Sequence, residues 1–304
     1  MVRAMRFLTF EIGGKTFPGI MKETTVIKLG SLLSLRGLDL SNARDLLPFI
    51  ENVDPNTIKL MKEELQSISP KTLNSMLGSG DAFPLETVKT KAPVPRPPAV
   101  FCLGFNYRSH APELKRPIPE VPVIFMKPSM AVVGPDENVV LPRVATRVDY
   151  EVELTIVMGK GGRSIPRNEA YRRVFGYTVL NDITARDIQQ KDFSLARPWL
   201  RSKGFDTFAP MGPCIVTQDE IGDPMNLELA LNINGEERQR SRTGEMIFDI
   251  TTIVEYVSAF TTLEPGSVIA TGTPEKIGQL HDGDLVEAYV EKVGTLRNRA
   301  VQGR

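Results

Sequence analysis

The chain has 304 residues, 41% of them apolar and 24% charged, enough for one large domain and a smaller one around a sizeable core. Lys plus Arg and Asp plus Glu number 37 each, so the net charge is zero, and neither a nucleic acid nor a membrane surface is an expected partner. No stretch is apolar enough to span a bilayer, Met1–Leu8 is too short for a signal peptide, and the two cysteines, Cys102 and Cys214, lie among apolar residues without metal spacing; the expectation is a soluble cytoplasmic protein with two buried thiols.

Residues 6–30 predict short strands: Arg6–Ile12, a Gly13-Gly14 turn, and a second run ending near Lys28-Leu29. Ser41–Ile50 predicts a short capped helix. Asp54–Leu65 predicts a clearer one, with Asp54 as N-cap and Pro55 at the first helical position. Residues 1–90 therefore read as a small α+β domain with a supporting role. The proline-rich Thr90–Ala99 segment loses backbone donors and favours extended chain, so it marks the boundary to a second domain, 91–304. That domain is strand-rich: Val100–Leu103, Val123–Phe125, Asp149–Met158, Phe175–Leu180, Cys214–Thr217, Leu227–Ile233, Ser267–Thr271 and Asp284–Val290. Helices are expected only at Arg167–Arg173, Ala185–Asp192 and Phe248–Phe260. The implied class is β-rich α+β with a barrel-like or sandwiched core.

Three stretches carry candidate chemistry. In a strand over Asp149–Met158, Asp149, Glu151 and Glu153 share one face while Val152, Leu154 and Ile156 turn to the core. Such a row either faces solvent or repels itself until a cation sits over it. In the stretch Phe101–Leu114, Ser109 can cap a short helix that sets Glu113 three residues after His110. The carboxylate can then orient the imidazole as a general base; the alternative is a surface ion pair. Asp182 ends an apolar strand, as a third carboxylate ligand or as an N-cap, with Gln189 and Lys203 downstream. Glu151, Glu153 and Asp182 together would be an all-oxygen set, which favours Mg²⁺ or Mn²⁺ over Zn²⁺. His281, in a Gly-Asp turn, reads as a surface residue.

In combination, GFNYRSHAPEL, FMKPS, DYEVEL, GYTVLNDITARD, KGFDTFAPMGP and ATGTP make the chain resemble the fumarylacetoacetate hydrolase superfamily over roughly residues 98–296. The resemblance implies a mixed β-sandwich roll, a homodimer, and Mg²⁺ or Mn²⁺ held by Glu151, Glu153 and Asp182. It implies His110 and Glu113 as a catalytic dyad, Lys203 as an active-site lysine, and Gln189 and Thr273 as substrate contacts. The implied activity is on 2-oxo acids, foremost C–C hydrolysis of an acylpyruvate-type substrate through a metal-stabilised enolate. Decarboxylation or tautomerisation of oxaloacetate and isomerisation of a hydroxyhepta-diene-dioate are the alternatives within enzymes, and a silent binding protein is the alternative outside them. Asp149 is expected to pair with Arg147 or Arg186 instead of a metal. One departure stands out: the family loop G-T-P-S-G-V-G reads Gly272-Thr273-Pro274-Glu275-Lys276-Ile277-Gly278 here.

Overall fold

The computed structural model describes residues 5–33, 37–38, 40–109 and 118–303. His110 and Glu113, the expected dyad, lie outside the described residues.

The β-branched and aromatic runs pair into three sheets among the described residues. In the largest, of twelve strands, Val152–Met158 lies between Val174–Asn181 and Val268–Ala270. The N-terminal hairpin forms as expected, with Ile12 opposite Lys15 across the Gly13-Gly14 turn. Its first strand, Arg6–Ile12, joins the large sheet by pairing with Ala209–Thr217. A five-stranded sheet lies on one face of the large one: Leu229, Leu231, Val286 and Ala288 share a buried cluster with Val152, Leu154 and Ile156. On the opposite face, Val157, Phe175, Leu180 and Ile215 pack with Phe7, Phe49 and Met61 from the N-terminal strands and helices. The central strands are therefore buried on both sides, as in a sandwich. The fold is β-rich α+β of mixed-sandwich architecture.

The acidic strand departs from expectation in an instructive way. Instead of one continuous strand there are two, Val148–Tyr150 and Val152–Met158, in different sheets, and Glu151 is the residue between them. Val148–Tyr150 pairs with Thr184–Ala185 and Gly278–Gln279 in a small three-stranded sheet. Both faces are buried, so the solvated alternative for the acidic row does not hold. The neighbouring chain makes the same crossing: Val174–Asn181 is in the large sheet, Thr184–Ala185 in the small one, and Asp182 falls in the gap. The two crossings are tied to each other. Asp182 N donates to Glu151 O at 2.8 Å, and Glu151 N donates to the Asn181 side chain at 2.8 Å.

Several elements were not readable from apolar periodicity. Glu236–Arg242 is an edge strand with hardly an apolar side chain, and the helix Pro70–Ser79 closes on Gly80 at φ 77°, the left-handed cap glycine tolerates. Asp54 does cap the helix Pro55–Ser67, accepting from Asn56 N and Thr57 N. The first helix expected in the chain forms later than predicted, over Leu47–Asn52.

The helix Ile250–Phe260 buries Ile250, Ile253, Val254 and Val257, and Asp249 starts it, accepting from Thr252 N at 2.7 Å. Asp249→Ala should lower unfolding free energy by about 1 kcal/mol, read from the urea midpoint, while Asp249→Asn retains most of it.

Candidate metal centre and substrate cleft

The two strand crossings place Glu151 and Asp182 side by side, and Glu153, opposite Leu180 in the large sheet, joins them. Ligand oxygens of the three lie within 4.8 Å of one another, and all three side chains are buried. Each carboxylate is held differently. Glu151 takes a hydrogen bond from Thr184 Oγ1 at 3.1 Å, one from Lys203 Nζ at 2.9 Å, and a short contact from Arg186. Asp182 sits between two ammonium groups, Lys127 Nζ at 2.5 Å and Lys203 Nζ at 2.5 Å. Glu153 has no cation of its own. Its Oε2 accepts from Gly272 N at 2.7 Å, and its Oε1 is buried without a hydrogen-bond partner.

That asymmetry is the test of whether a metal fits. A buried carboxylate oxygen left without a partner is costly, and an all-oxygen trio turned toward one point is what Mg²⁺ or Mn²⁺ takes. The residues present could hold such an ion, with Glu153 Oε1 supplying the free ligand atom. Burial, then the nearby Asp182 and Glu151 charges, push the Glu153 carboxyl well above the usual carboxylate range. Lys203 goes the other way from a typical buried lysine: burial opposes its charge, but Asp182 and Glu151 outweigh that and hold its pKa above the ordinary value. It is a donor, not a base. For Lys127 burial wins and its pKa falls.

Around this cluster a second set of residues fixes orientation. Arg186, at the start of the helix Arg186–Ser194, donates through Nε to Asp149 Oδ2 at 2.8 Å and through Nη1 to Gln189 Oε1 at 2.5 Å, besides touching Glu151. Asp149 is thus paired with Arg186, and with Arg147 as well, at 2.8 Å. With its carbonyl held by Arg186, Gln189 keeps its amide nitrogen for the cleft. Gly272 adopts φ +92°, and a Cβ there would lie 2.9 Å from Asn106 Cβ, so only glycine lets its N–H reach Glu153. The cleft that opens on the cluster is lined by Phe105, Phe125, Gln189, Trp199, Lys203 and Thr273, among others, and its cavity is about 20 Å³.

Comparison with known proteins gives the family. The family model described as "Fumarylacetoacetate (FAA) hydrolase C-terminal" covers residues 99–301. The chain belongs to the fumarylacetoacetate hydrolase family. It is 39% identical over 254 residues to a mitochondrial oxaloacetate tautomerase of Bos taurus, covering 76% of this chain and 80% of that one. A solved 2-hydroxyhepta-2,4-diene-1,7-dioate isomerase from Mycobacterium marinum superposes with a TM-score of 0.75 at 33% identity, over 98% of this chain and 99% of that one. A maleylpyruvate hydrolase from Sphingobium sp. SYK-6, solved with manganese(II) and pyruvate, gives 0.75 at 31% identity, over 99% of this chain and 100% of that one. Members of this fumarylacetoacetate hydrolase family are enzymes, and these relatives perform different reactions.

Of the residues singled out from the sequence, the structure brings together Glu151, Glu153, Asp182, Lys203, Gln189 and Thr273. His281 is an exposed turn residue, its ring 3.6 Å from Asp284. The loop that departs from the family pattern turns Glu275 and Lys276 to solvent, while Thr273 stays buried. Gln239 explains why the loop keeps its shape: its amide nitrogen donates to Thr273 Oγ1 and Pro274 O at 3.1 Å and to Glu275 O at 3.2 Å. Sequence reasoning passed over Lys127 and Gln239, and took Arg186 only as a partner of Asp149. Lys127 had a signal, a cation closing the apolar strand Val123–Lys127; Gln239 had none, lying in a charged run.

Two expectations follow from these contacts. Arg186→Ala leaves Asp149 and Glu151 buried without their shared partner, and should cost about 3 kcal/mol or more of stability by urea denaturation. The raised Glu153 carboxyl gives a pH rule. Below its folded pKa the metal-free site holds a proton there, so Mn²⁺ must displace it, and affinity rises with pH through that raised pKa and then levels. Titration calorimetry in buffers of differing ionisation enthalpy should show proton release on Mn²⁺ binding, lost in Glu153→Gln.

Proposed function

We propose that this protein is a divalent-metal-dependent enzyme that interconverts keto and enol forms of a short 2-oxo diacid such as oxaloacetate. The observation that carries the reading is the buried trio Glu151, Glu153 and Asp182 opening on a cleft with an ammonium donor, Lys203, at its edge. The likeness to the oxaloacetate tautomerase supports the choice of substrate. When bound at the trio, Mg²⁺ or Mn²⁺ would supply Lewis-acid polarisation of the substrate's carboxylate and 2-oxo group.

The rest falls to the chain. Lys203, kept charged by Asp182 and Glu151, donates to the oxygen on which enolate charge develops. Gln189, clamped by Arg186, orients the substrate's far end through its amide nitrogen. Lys127 fixes Asp182 and the residue after it by donating to Asp182 Oδ1 and Ile183 O. His110, oriented by Glu113, takes the proton from the carbon between the carbonyls and returns it on the opposite leg of the reaction. Residues 91–304 carry the chemistry, and residues 1–90 support them. The working form is a cytoplasmic homodimer, which light scattering after gel filtration would check.

Hydrolysis of an acylpyruvate C–C bond is the second reading, favoured by the likeness to the maleylpyruvate hydrolase. There His110 would activate water instead of removing a C–H proton. The deciding experiment is a panel of oxaloacetate and acylpyruvates with Mg²⁺ or Mn²⁺, following enol absorbance, pyruvate and CO₂. Enol conversion without pyruvate is the expected result; pyruvate plus a carboxylic acid would establish hydrolysis, and full activity in EDTA would sink both. Lys203→Met should bind Mn²⁺ yet lose about 10²–10³ in kcat. A chain that binds no divalent metal would instead be a silent binding protein.

A further inference from the structure

One side chain in the cleft has no part in the chemistry above. Trp199, the only tryptophan in the chain, lines the same cavity as Gln189, Lys203 and Thr273. Its ring meets Phe105 edge to face at 5.7 Å and Phe193 edge to face at 5.0 Å, and leans on Phe125 at 5.0 Å. The fourth side is Gly104, where a Cβ would sit 2.7 Å from indole carbons Cη2 and Cζ3. The absence of a side chain at Gly104 is thus what makes room for the ring. Arg197, Pro198 and Leu200 around it are exposed, and Trp199 is the residue of this run that turns inward. It also shares a turn with the active-site lysine: the Trp199 carbonyl accepts from Lys203 N at 3.1 Å and from Ser202 Oγ at 2.8 Å.

The indole lines the same cleft as Glu151 and Lys203, so it borders the way out from the carboxylate trio. Any arm of a substrate seated at the carboxylate trio that runs past Lys203 meets the indole, which three aromatic neighbours hold in place. We infer that Trp199 is the specificity-determining wall of the site, setting the length of the arm a 2-oxo acid can carry beyond its second carbonyl. This rests on the 2-oxo acid reading proposed above and narrows it to short substrates. A rigid indole clamped from four sides yields less readily than an aliphatic side chain, so the limit is sharp in length and tolerant of charge.

The test uses dead-end ligands, so turnover is not needed. Full-length Mn²⁺-loaded protein is titrated by calorimetry with oxalate, oxamate and N-alkyl oxamates from methyl to butyl, in wild type, Trp199→Phe and Trp199→Ala. In wild type, affinity should fall at least about tenfold between the methyl and butyl arms, the scale of rejection a tight pocket gives. The fall should flatten in Trp199→Ala and be intermediate in Trp199→Phe. Because the chain has one tryptophan, wild-type emission should also shift when the methyl or ethyl ligand binds, reporting ring contact directly. Superimposable arm-length profiles in wild type and Trp199→Phe, with unchanged emission, would overturn the wall even if Trp199→Ala fails to fold. Failure of oxalate itself to bind the loaded wild type would instead overturn the 2-oxo acid reading, and the wall with it.

Discussion

Three buried carboxylates within 4.8 Å of one another are the constraint on which the rest of this structure depends. Like charges about 4 Å apart repel by about 4 kcal/mol even at an effective dielectric of about 20, so the cluster survives folding only if its surroundings are built to oppose that repulsion. The fold answers with Lys127, Lys203 and Arg186, each buried and each aimed at Asp182 or Glu151. Buried cations are expensive in their turn, and none of these three would be tolerated without the acids. Acids and bases form a mutually required set, three of each, in which Glu153 alone of the three carboxylates has no ion pair among the described residues. A site that is compensated except at one ligand atom can stay folded without metal and still have reason to take it up.

The geometry that makes this possible is a break in pleating. Had Arg147–Met158 run as one strand, Asp149, Glu151 and Glu153 would stand in a row about two residues apart, facing one way. The chain instead leaves one sheet and enters another at Glu151, and its neighbour does so at Asp182, with the two backbones bonded at the crossing. Residues at such a crossing escape the alternation of both sheets. That is how Glu151 and Glu153 converge with Asp182 while Asp149 turns away to Arg147 and Arg186. The same break leaves backbone groups that a regular ladder would have used, and side chains such as Asn181 and Gln239 take them instead.

This explains what could and could not be read from the sequence. The ligand residues were legible because three acids amid apolar β-prone residues are conspicuous, and because the matching stretches occur in a specific order. The strand break was not legible, since Tyr150-Glu151-Val152 has no glycine or proline to announce it, and strand propensity alone predicts continuity. The edge strand Glu236–Arg242 was missed for a related reason. Seven nearly all-charged residues look like a loop, yet pairing with Glu228–Ile233 needs only backbone groups, and one inward Gln239 is enough to connect it to the site. The helix cap Asp54 was local and therefore readable, whereas the role of Gly104 depends on a ring ninety-five residues away and is visible only in three dimensions.

The chemistry is divided between elements of different character, and this bears on how one fold serves relatives with different reactions. Glu153 sits on a central strand packed on both faces, Glu151 and Asp182 at the crossings beside it, and Lys127 at the buried end of an edge strand, where a change of side chain disturbs the charge cluster. Gln189 and Lys203 sit on two short helices, Arg186–Ser194 and Leu200–Lys203, with Trp199 immediately before the second, and exposed residues border them. The enolate formation proposed above would need only the first group and one donor from the second. What happens next depends on what the helices present to the far end of the substrate: a polar amide, a wall, or an open path for water. Variation in that outer layer can alter substrate length and reaction outcome without touching the buried charges. Under the reading proposed above, selectivity in this chain is to be sought in the Trp199 turn, and not among the three carboxylates.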